Sequence, residues 1–393
     1  MLTAAKGYGI DAGIRSFSDY DGYIDCNRWS VFMADRTLLV VGATGLLGRA
    51  ALAHFKDLAG WDVIGMSRRA PDVSGVQHLK ADLMDPVSLA AHKAALAPVT
   101  DVLYAALFEM DDLVSGWRHQ QQIEHNAAMF ETLMATVEAA APDLTHVHLL
   151  QGTKAYGIHV EPMKAPAKER WPRHDHENFY WHQEDHLKAR AADGGWRYTI
   201  WRPQVVFGHG LGSPMNLIAA VGVYASICRA RGEPCRYPGG IPVTTEATDA
   251  RLLARAIEWA AEADSAVNET FNIANGDVLL WPNLWPTVSD HFGIEPGEPE
   301  PQTLAETMPS LESEWADIVR THNLAPHSLA ELVGGSWQFL DRAVRAGSAA
   351  TPPSLVSTIK LRQAGFGDCY DTEDSLHHWF SEMQANRLLP DWQ

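Results

Sequence analysis

The chain has 393 residues, more than one hydrophobic core usually fills, so two lobes or one elaborated domain are expected. Its 46% hydrophobic and 20% charged residues make the balance of a soluble globular protein, and a net charge of -18 argues against nucleic acid or an anionic membrane as partner. No apolar run approaches the roughly 20 residues of a membrane span, and Cys26, Cys228, Cys235 and Cys369 form no C-x-x-C pair, reading as reduced thiols of a cytoplasmic protein rather than a disulfide framework or metal site.

Residues 1–34 are polar and aromatic and carry no secretory signal. Met33 stands directly before a segment where a dinucleotide fold would begin, so the extension is expected to be a poorly ordered arm or an upstream misreading of the start. Residues 37–55, "TLLVVGATGLLGRAALAHF", read as a buried strand, a glycine turn and an amphipathic helix. Short apolar strands follow at 61–69, 76–83 and 100–107, then a long helix through 123–140. A fifth strand is expected at 145–152, a helix carrying Tyr180 after it, and a sixth strand at 197–208. Strands alternating with helices at this spacing predict an α/β fold with a doubly wound parallel sheet of Rossmann type over 35–209, with 242–276 returning to it. Beyond Gly208 helical patterns dominate, with one more strand at 269–274. The stretch 294–310, rich in Pro and Glu, reads as an exposed loop. Residues 210–393 are thus expected to form a smaller, mainly helical substrate lobe capping the carboxyl edge of the sheet.

The turn "GATGLLG" places Gly42, Gly45 and Gly48 between strand and helix, with Thr44, Leu46 and Leu47 completing it. Glycines there permit a tight turn and let a pyrophosphate approach backbone N–H groups at the helix N-terminus. At the end of the second strand an NAD site would present a carboxylate to the ribose; this chain has Ser67, Arg68 and Arg69. Guanidinium forks match a 2′-phosphate, which favours NADPH. Asp82 and Leu83, ending the third strand, are placed near the adenine.

"NFYWHQED", 178–185, opens like the dehydrogenase pattern Y-x-x-x-K, yet the residue four beyond Tyr180 is Glu184. Lys188 lies eight residues along the helix, about 12 Å away, too far to share a proton site. Lys154, in "LLQGTKAYG" just past the fifth strand, sits at the carboxyl edge where ligands bind in such folds. The tyrosine helix starts at that edge, so the two side chains are expected to converge. A neighbouring ammonium would lower the phenol's pKa and make it a usable acid. Glu184 and Asp185 are left as polar groups of the helix or its caps.

Together these segments resemble the progesterone 5-beta-reductase and iridoid synthase group of extended short-chain dehydrogenase/reductases. That group carries its lysine in an "LQ...KxY" segment and its tyrosine in "NFYYxxED". The stretches "GATGLLG", "SRR", "LLQGTKAYG", "NFYWHQED", "WRPQVVFG", "SPMNLIAA", "RYPGG", "NETFNIANGD" and "LWPTVSDHFG" follow in the same order. The resemblance implies Tyr180 as catalytic acid or oxyanion donor with Lys154 as its electrostatic partner. It implies further cofactor contacts at Ala105, Gln151, Tyr180 and Pro203, the Val206 backbone bonding the carboxamide, and a homodimer. Two departures stand out: the second tyrosine of "NFYY" is Trp181, and the place where related extended enzymes often carry a catalytic serine is Gly152, beside Thr153. No substrate-contacting position in the helical lobe carries over.

The leading expectation is hydride transfer from NADPH to the β-carbon of an enone or enal, on a small apolar carbonyl-containing substrate. Carbonyl reduction, or epimerase/dehydratase chemistry on a nucleotide sugar, is the alternative within enzymes. A protein that senses NADPH without turnover is the alternative of another class.

Overall fold

The computed structural model describes residues 36–113, 115–344 and 352–392, and the expectations for the N-terminal extension, like Cys26, lie outside them. The strands in chain order are β1 (Arg36–Val41), β2 (Trp61–Ser67), β3 (Gln77–Lys80), β4 (Asp101–Tyr104), β5 (His146–Leu150), β6 (Arg197–Pro203), β7 (Val205–Phe207), β8 (Cys235–Arg236), β9 (Ala247–Asp249), β10 (Glu269–Ile273) and β11 (Pro296–Gly297). Seven of them build one parallel sheet in the order β10-β6-β5-β4-β1-β2-β3. This is the doubly wound Rossmann arrangement expected from the sequence.

The sheet is buried on both faces, which is why β1 reads as an unbroken apolar run. Leu39 and Val41 point to one core with Phe130, Leu133 and Val137 of the long helix Gln120–Ala140. Leu38 and Val40 point to the other, with Leu52 of the helix Leu46–Phe55 and Leu253, Ile257 and Ala260 of the helix Ala250–Glu262. The period of two along a strand assigns each residue its face. Chain order reverses between β1 and β4, opening the crevice at their carboxyl ends where ligands bind in such sheets.

A third core belongs to the C-terminal half. The helix Leu217–Arg231 is buried on nearly every side and packs with Trp281, Trp285, Trp315, Trp337 and Trp379. These tryptophans are core residues, so they carry no information about a substrate pocket. Cys228 and Cys235 are buried free thiols in the same core.

Two expectations change. The strand expected over 197–208 is two strands, because Pro203 has no N–H with which to continue a ladder. After it the Gln204 N–H bonds Ile273 O and Thr248 Oγ1, and β7 leaves the sheet to pair with β9. The exposed loop expected at 294–310 instead contributes β11, which pairs with β8, and a short helix Leu304–Thr307. Leu304 and Met308, one helical turn apart, fill the lobe's core, and Asp341 accepts from the N–H groups of Leu304 and Ala305.

Candidate active site

At the glycine turn the backbone leaves no room for a side chain at Gly42 or Gly48. Gly42 has φ +87°, and a Cβ there would lie 2.7 Å from the Ala105 backbone at the end of β4. A Cβ on Gly48 would meet Gly42 O at 2.2 Å. Gly45 is the N-cap of the helix Leu46–Phe55 with no side-chain cap, so the helix presents N–H groups to whatever lies above the turn. This cradle fits a pyrophosphate. It faces the loop after β7, where Gly210 packs so closely that a Cβ would be 2.9 Å from Leu46 N.

At the end of β2 the two arginines differ. Both are exposed, but Arg69 donates to Leu211 O at 2.9 Å and so ties the loop beyond Gly210 to the end of β2. The Ser67 hydroxyl donates to Arg69 O at 2.6 Å and shapes this turn. Asp82 accepts from the Met84 N–H, and Leu83 is buried in the core, so both also hold the chain's own structure.

Lys154 and Tyr180 meet at the carboxyl edge of β5 through Asn178. Asn178 caps the helix Phe179–Gly194, its Oδ1 accepting the Tyr180 N–H at 3.0 Å, while its Nδ2 donates to Lys154 O at 3.3 Å. One amide therefore ties the lysine loop to the start of the tyrosine helix. An Asn ahead of "FYW" is a readable cap signal, but its second bond depends on tertiary structure.

Trp117 is the common floor. Lys154 Nζ lies 3.7 Å from its ring centroid, the Tyr180 ring packs edge-on at 5.5 Å, and the indole N–H donates to Glu109 Oε1 at 2.9 Å. Lys154 Nζ also rests 3.6 Å from Met215 Sδ. Burial lowers the Lys154 ammonium to about 8, although the nearby Glu109 opposes this. Burial pushes the Tyr180 phenol well up, and Glu109 pushes the same way. The expectation that the lysine lowers this phenol is therefore corrected: desolvation dominates, the cation that opposes it is Arg202, and Lys154 sits over the indole. A phenol held neutral is a hydrogen-bond donor throughout the ordinary pH range. A Cβ on Gly152 would lie 3.5 Å from Tyr180 Oη and 3.6 Å from Pro203 O, so a side chain at Gly152 would face the phenol. Trp117 and Glu109 carry no motif and were not found from the sequence.

Glu184 is far from bland. It is buried and accepts from Lys188 Nζ at 2.6 Å, Gln151 Nε2 at 3.0 Å and Arg202 Nη2 at 3.4 Å, with Arg173 Nη2 also at 3.0 Å. Burial alone would raise its carboxyl, but these hydrogen bonds and charges outweigh it and pull it down to about 2. Lys188 is thus committed to Glu184. The Gln151 side chain belongs to the same network, accepting from Arg202 Nε at 2.8 Å. Val206 lies on β7, opposite Thr248 of β9.

At the amino edge of the sheet, Asp101, His146 and His148 bring ligand-type atoms within 4.8 Å of one another. Arg36 already donates to both oxygens of Asp101, and its charge in that position works against a metal ion.

Residues 66–310 match the model of a family described as a PRISE-like Rossmann-fold domain. The chain is 30% identical over 380 residues to the (S)-8-oxocitronellyl enol synthase of Camptotheca acuminata, covering 90% of this chain and 93% of that one. It is 29% identical over 379 residues to the 3-oxo-Delta(4,5)-steroid 5-beta-reductase of Arabidopsis thaliana, covering 90% and 92%. Among solved structures, the UDP-glucose 4-epimerase of Thermotoga maritima shares the fold with a TM-score of 0.62 at 16% identity, over 89% of this chain and 99% of that one.

Proposed function

The chain belongs to the PRISE-like Rossmann-fold family and is an oxidoreductase of the extended short-chain dehydrogenase/reductase type, and from that premise we propose that it is an NADPH-dependent enone or enal reductase. The observation that carries this reading is the displaced pair: Tyr180 and Lys154 share the Trp117 ring, while Glu184 occupies the usual lysine position and is locked in an ion cluster. A Y-x-x-x-K relay shuttles protons for alcohol and sugar chemistry. A neutral phenol beside a cation suits a different task, holding an oxygen on which negative charge develops.

The turn Gly42–Gly48 would hold the pyrophosphate and Arg68 the 2′-phosphate. Bound there, NADPH supplies hydride to the β-carbon of the activated alkene. Tyr180 donates a hydrogen bond to the substrate's carbonyl oxygen, and the Lys154 ammonium stabilises the enolate charge. The apolar walls of Phe179 and Trp117 exclude water from that oxygen and strengthen both interactions. The relatives named for an enol synthase and a steroid 5-beta-reductase support a small carbonyl-containing substrate.

The test is NADPH oxidation against a mixed panel of enones, enals, simple aldehydes and nucleotide sugars, with products identified. Saturated carbonyl products from enones or enals are expected. Turnover confined to aldehydes or nucleotide sugars would refute the reading.

A further inference from the structure

Between β4 and the long helix the chain makes a loop whose backbone is pinned on both sides of one residue. Asn126 accepts the Phe108 N–H and donates to Phe108 O, each at 2.8 Å, and Gln122 accepts the Met110 N–H at 3.0 Å. Glu109 stands between these clamps. Its Oε1 accepts the Trp117 indole N–H, while its Oε2 is buried and has no hydrogen-bond partner among the described residues. Leaving a buried carboxyl oxygen unpaired is costly, and here it happens beside the indole that also supports Lys154 and Tyr180. Such an atom suits an incoming group.

Resting on the enone-reductase reading, we propose that Glu109 is a further catalytic residue, its free carboxyl oxygen delivering a proton to the α-carbon so that the product leaves as a saturated carbonyl compound rather than as an enol. The step balances. Hydride brings an electron pair to the β-carbon, and the former π pair spreads over the α-carbon and the oxygen held by Tyr180 and Lys154. The α-carbon then takes the Glu109 proton as the carbonyl re-forms. Glu109 is left as a carboxylate facing the Lys154 ammonium, and one proton taken up from bulk solvent restores the acid, so that each turnover consumes one hydride and one proton.

The neighbouring groups fit this role less well. The Tyr180 phenol, pushed up by burial, is a weak acid. His159 is buried and held down to about 3 by burial, with His176, Lys154, Arg118 and Arg342 adding to this, so its imidazole is neutral. Glu109 is raised by burial, against the pull of Lys154 and of the Trp117 hydrogen bond, which moves a carboxylic acid toward the working range of a general acid.

A donor fixed on one side of the substrate adds its proton to one face. The experiment uses the α-methyl enone or enal that the full-length protein reduces fastest with NADPH, and reads the enantiomeric ratio at the α-carbon by chiral gas chromatography. The wild type is expected to give one enantiomer in large excess. Glu109→Gln keeps an acceptor for the Trp117 N–H, and is expected to consume NADPH more slowly, by about a hundredfold where protonation limits the rate, and to give a racemic product. Glu109→Asp is expected to restore part of the excess, which a merely structural role would not do. A Glu109→Gln enzyme that keeps the full wild-type excess overturns the proposal, as does a wild type whose product is racemic. If no enone or enal supports NADPH oxidation by the wild type, it is the reductase reading that fails.

Discussion

At Tyr180 and Lys154 the proposed chemistry would depend on two side chains brought together by Asn178 and Trp117. Tyr180→Phe and Lys154→Ala are each expected to lower kcat about 10²–10³-fold on an enone, the usual loss for an oxyanion donor. The double variant should lose far less than the product of these factors, since both residues serve one oxygen; independent, multiplicative losses would break the pairing. Lys154 also sets a pH limit. Its ammonium is present below about 8, so kcat/KM should fall as pH rises through that value, and Lys154→Ala should lack this limb. Glu184, held in its ion cluster, leads to an expectation about stability. Its carboxyl is depressed in the fold, so its contribution is full above the ordinary carboxylate range and is lost as pH falls toward about 2. Roughly 3 kcal/mol is involved. Glu184→Gln should therefore unfold at lower urea than the wild type at pH 7, and the gap should narrow in acid. A gap that widens in acid would contradict the assignment.

Among the elements, the turn after β2 divides labour between its arginines. Arg68→Ala should weaken NADPH binding more than NADH binding, by the roughly 1.5–3 kcal/mol of a charge-assisted contact with a 2′-phosphate. Arg69 spends a donor on Leu211 O, so Arg69→Ala should also loosen the loop that covers the glycine turn and weaken both cofactors. Isothermal titration with each dinucleotide separates the two effects. Equal losses for both cofactors in Arg68→Ala would remove the 2′-phosphate assignment. The same turn shows what sequence can and cannot tell: adjacent arginines at a strand end are visible in one dimension, but the carbonyl that engages one of them is 142 positions away.

Across the whole molecule, the helical half and the sheet are joined by buried and partly buried polar bonds. Arg49, on the glycine-turn helix, is bonded to Glu382 of the C-terminal helix Thr372–Ala385. Asp249, at the end of β9, accepts from Ser375 and Trp379 of that helix. Residues 34–393 form one compact unit. Thermal unfolding of a chain beginning at Met33 is therefore expected to show a single transition at the temperature of the full chain, with NADPH affinity unchanged. Two separate transitions, or a lowered midpoint, would show that the halves unfold independently or that the extension contributes to stability.

The sequence by itself determined the parallel sheet, its strand order along the chain, the glycine turn and the place of the tyrosine and lysine segments. These are local signals: apolar runs of strand length, glycines where a Cβ would meet backbone, and residues at strand ends. What only the tertiary structure decided comes from distant segments meeting. The strand at 197–208 divides because Pro203 ends a ladder and a second partner, β9, is available. The loop at 294–310 acquires structure because Leu304 and Met308 find a core to fill. Glu184 looked like a polar helix residue until Arg173 and Arg202 surrounded it, and Tyr180 looked like an acidified phenol until burial proved the stronger effect. Trp117 and Glu109 stand in no motif, since a ring that seats a lysine, and a carboxyl with one oxygen unpaired among the described residues, are defined only by what packs against them.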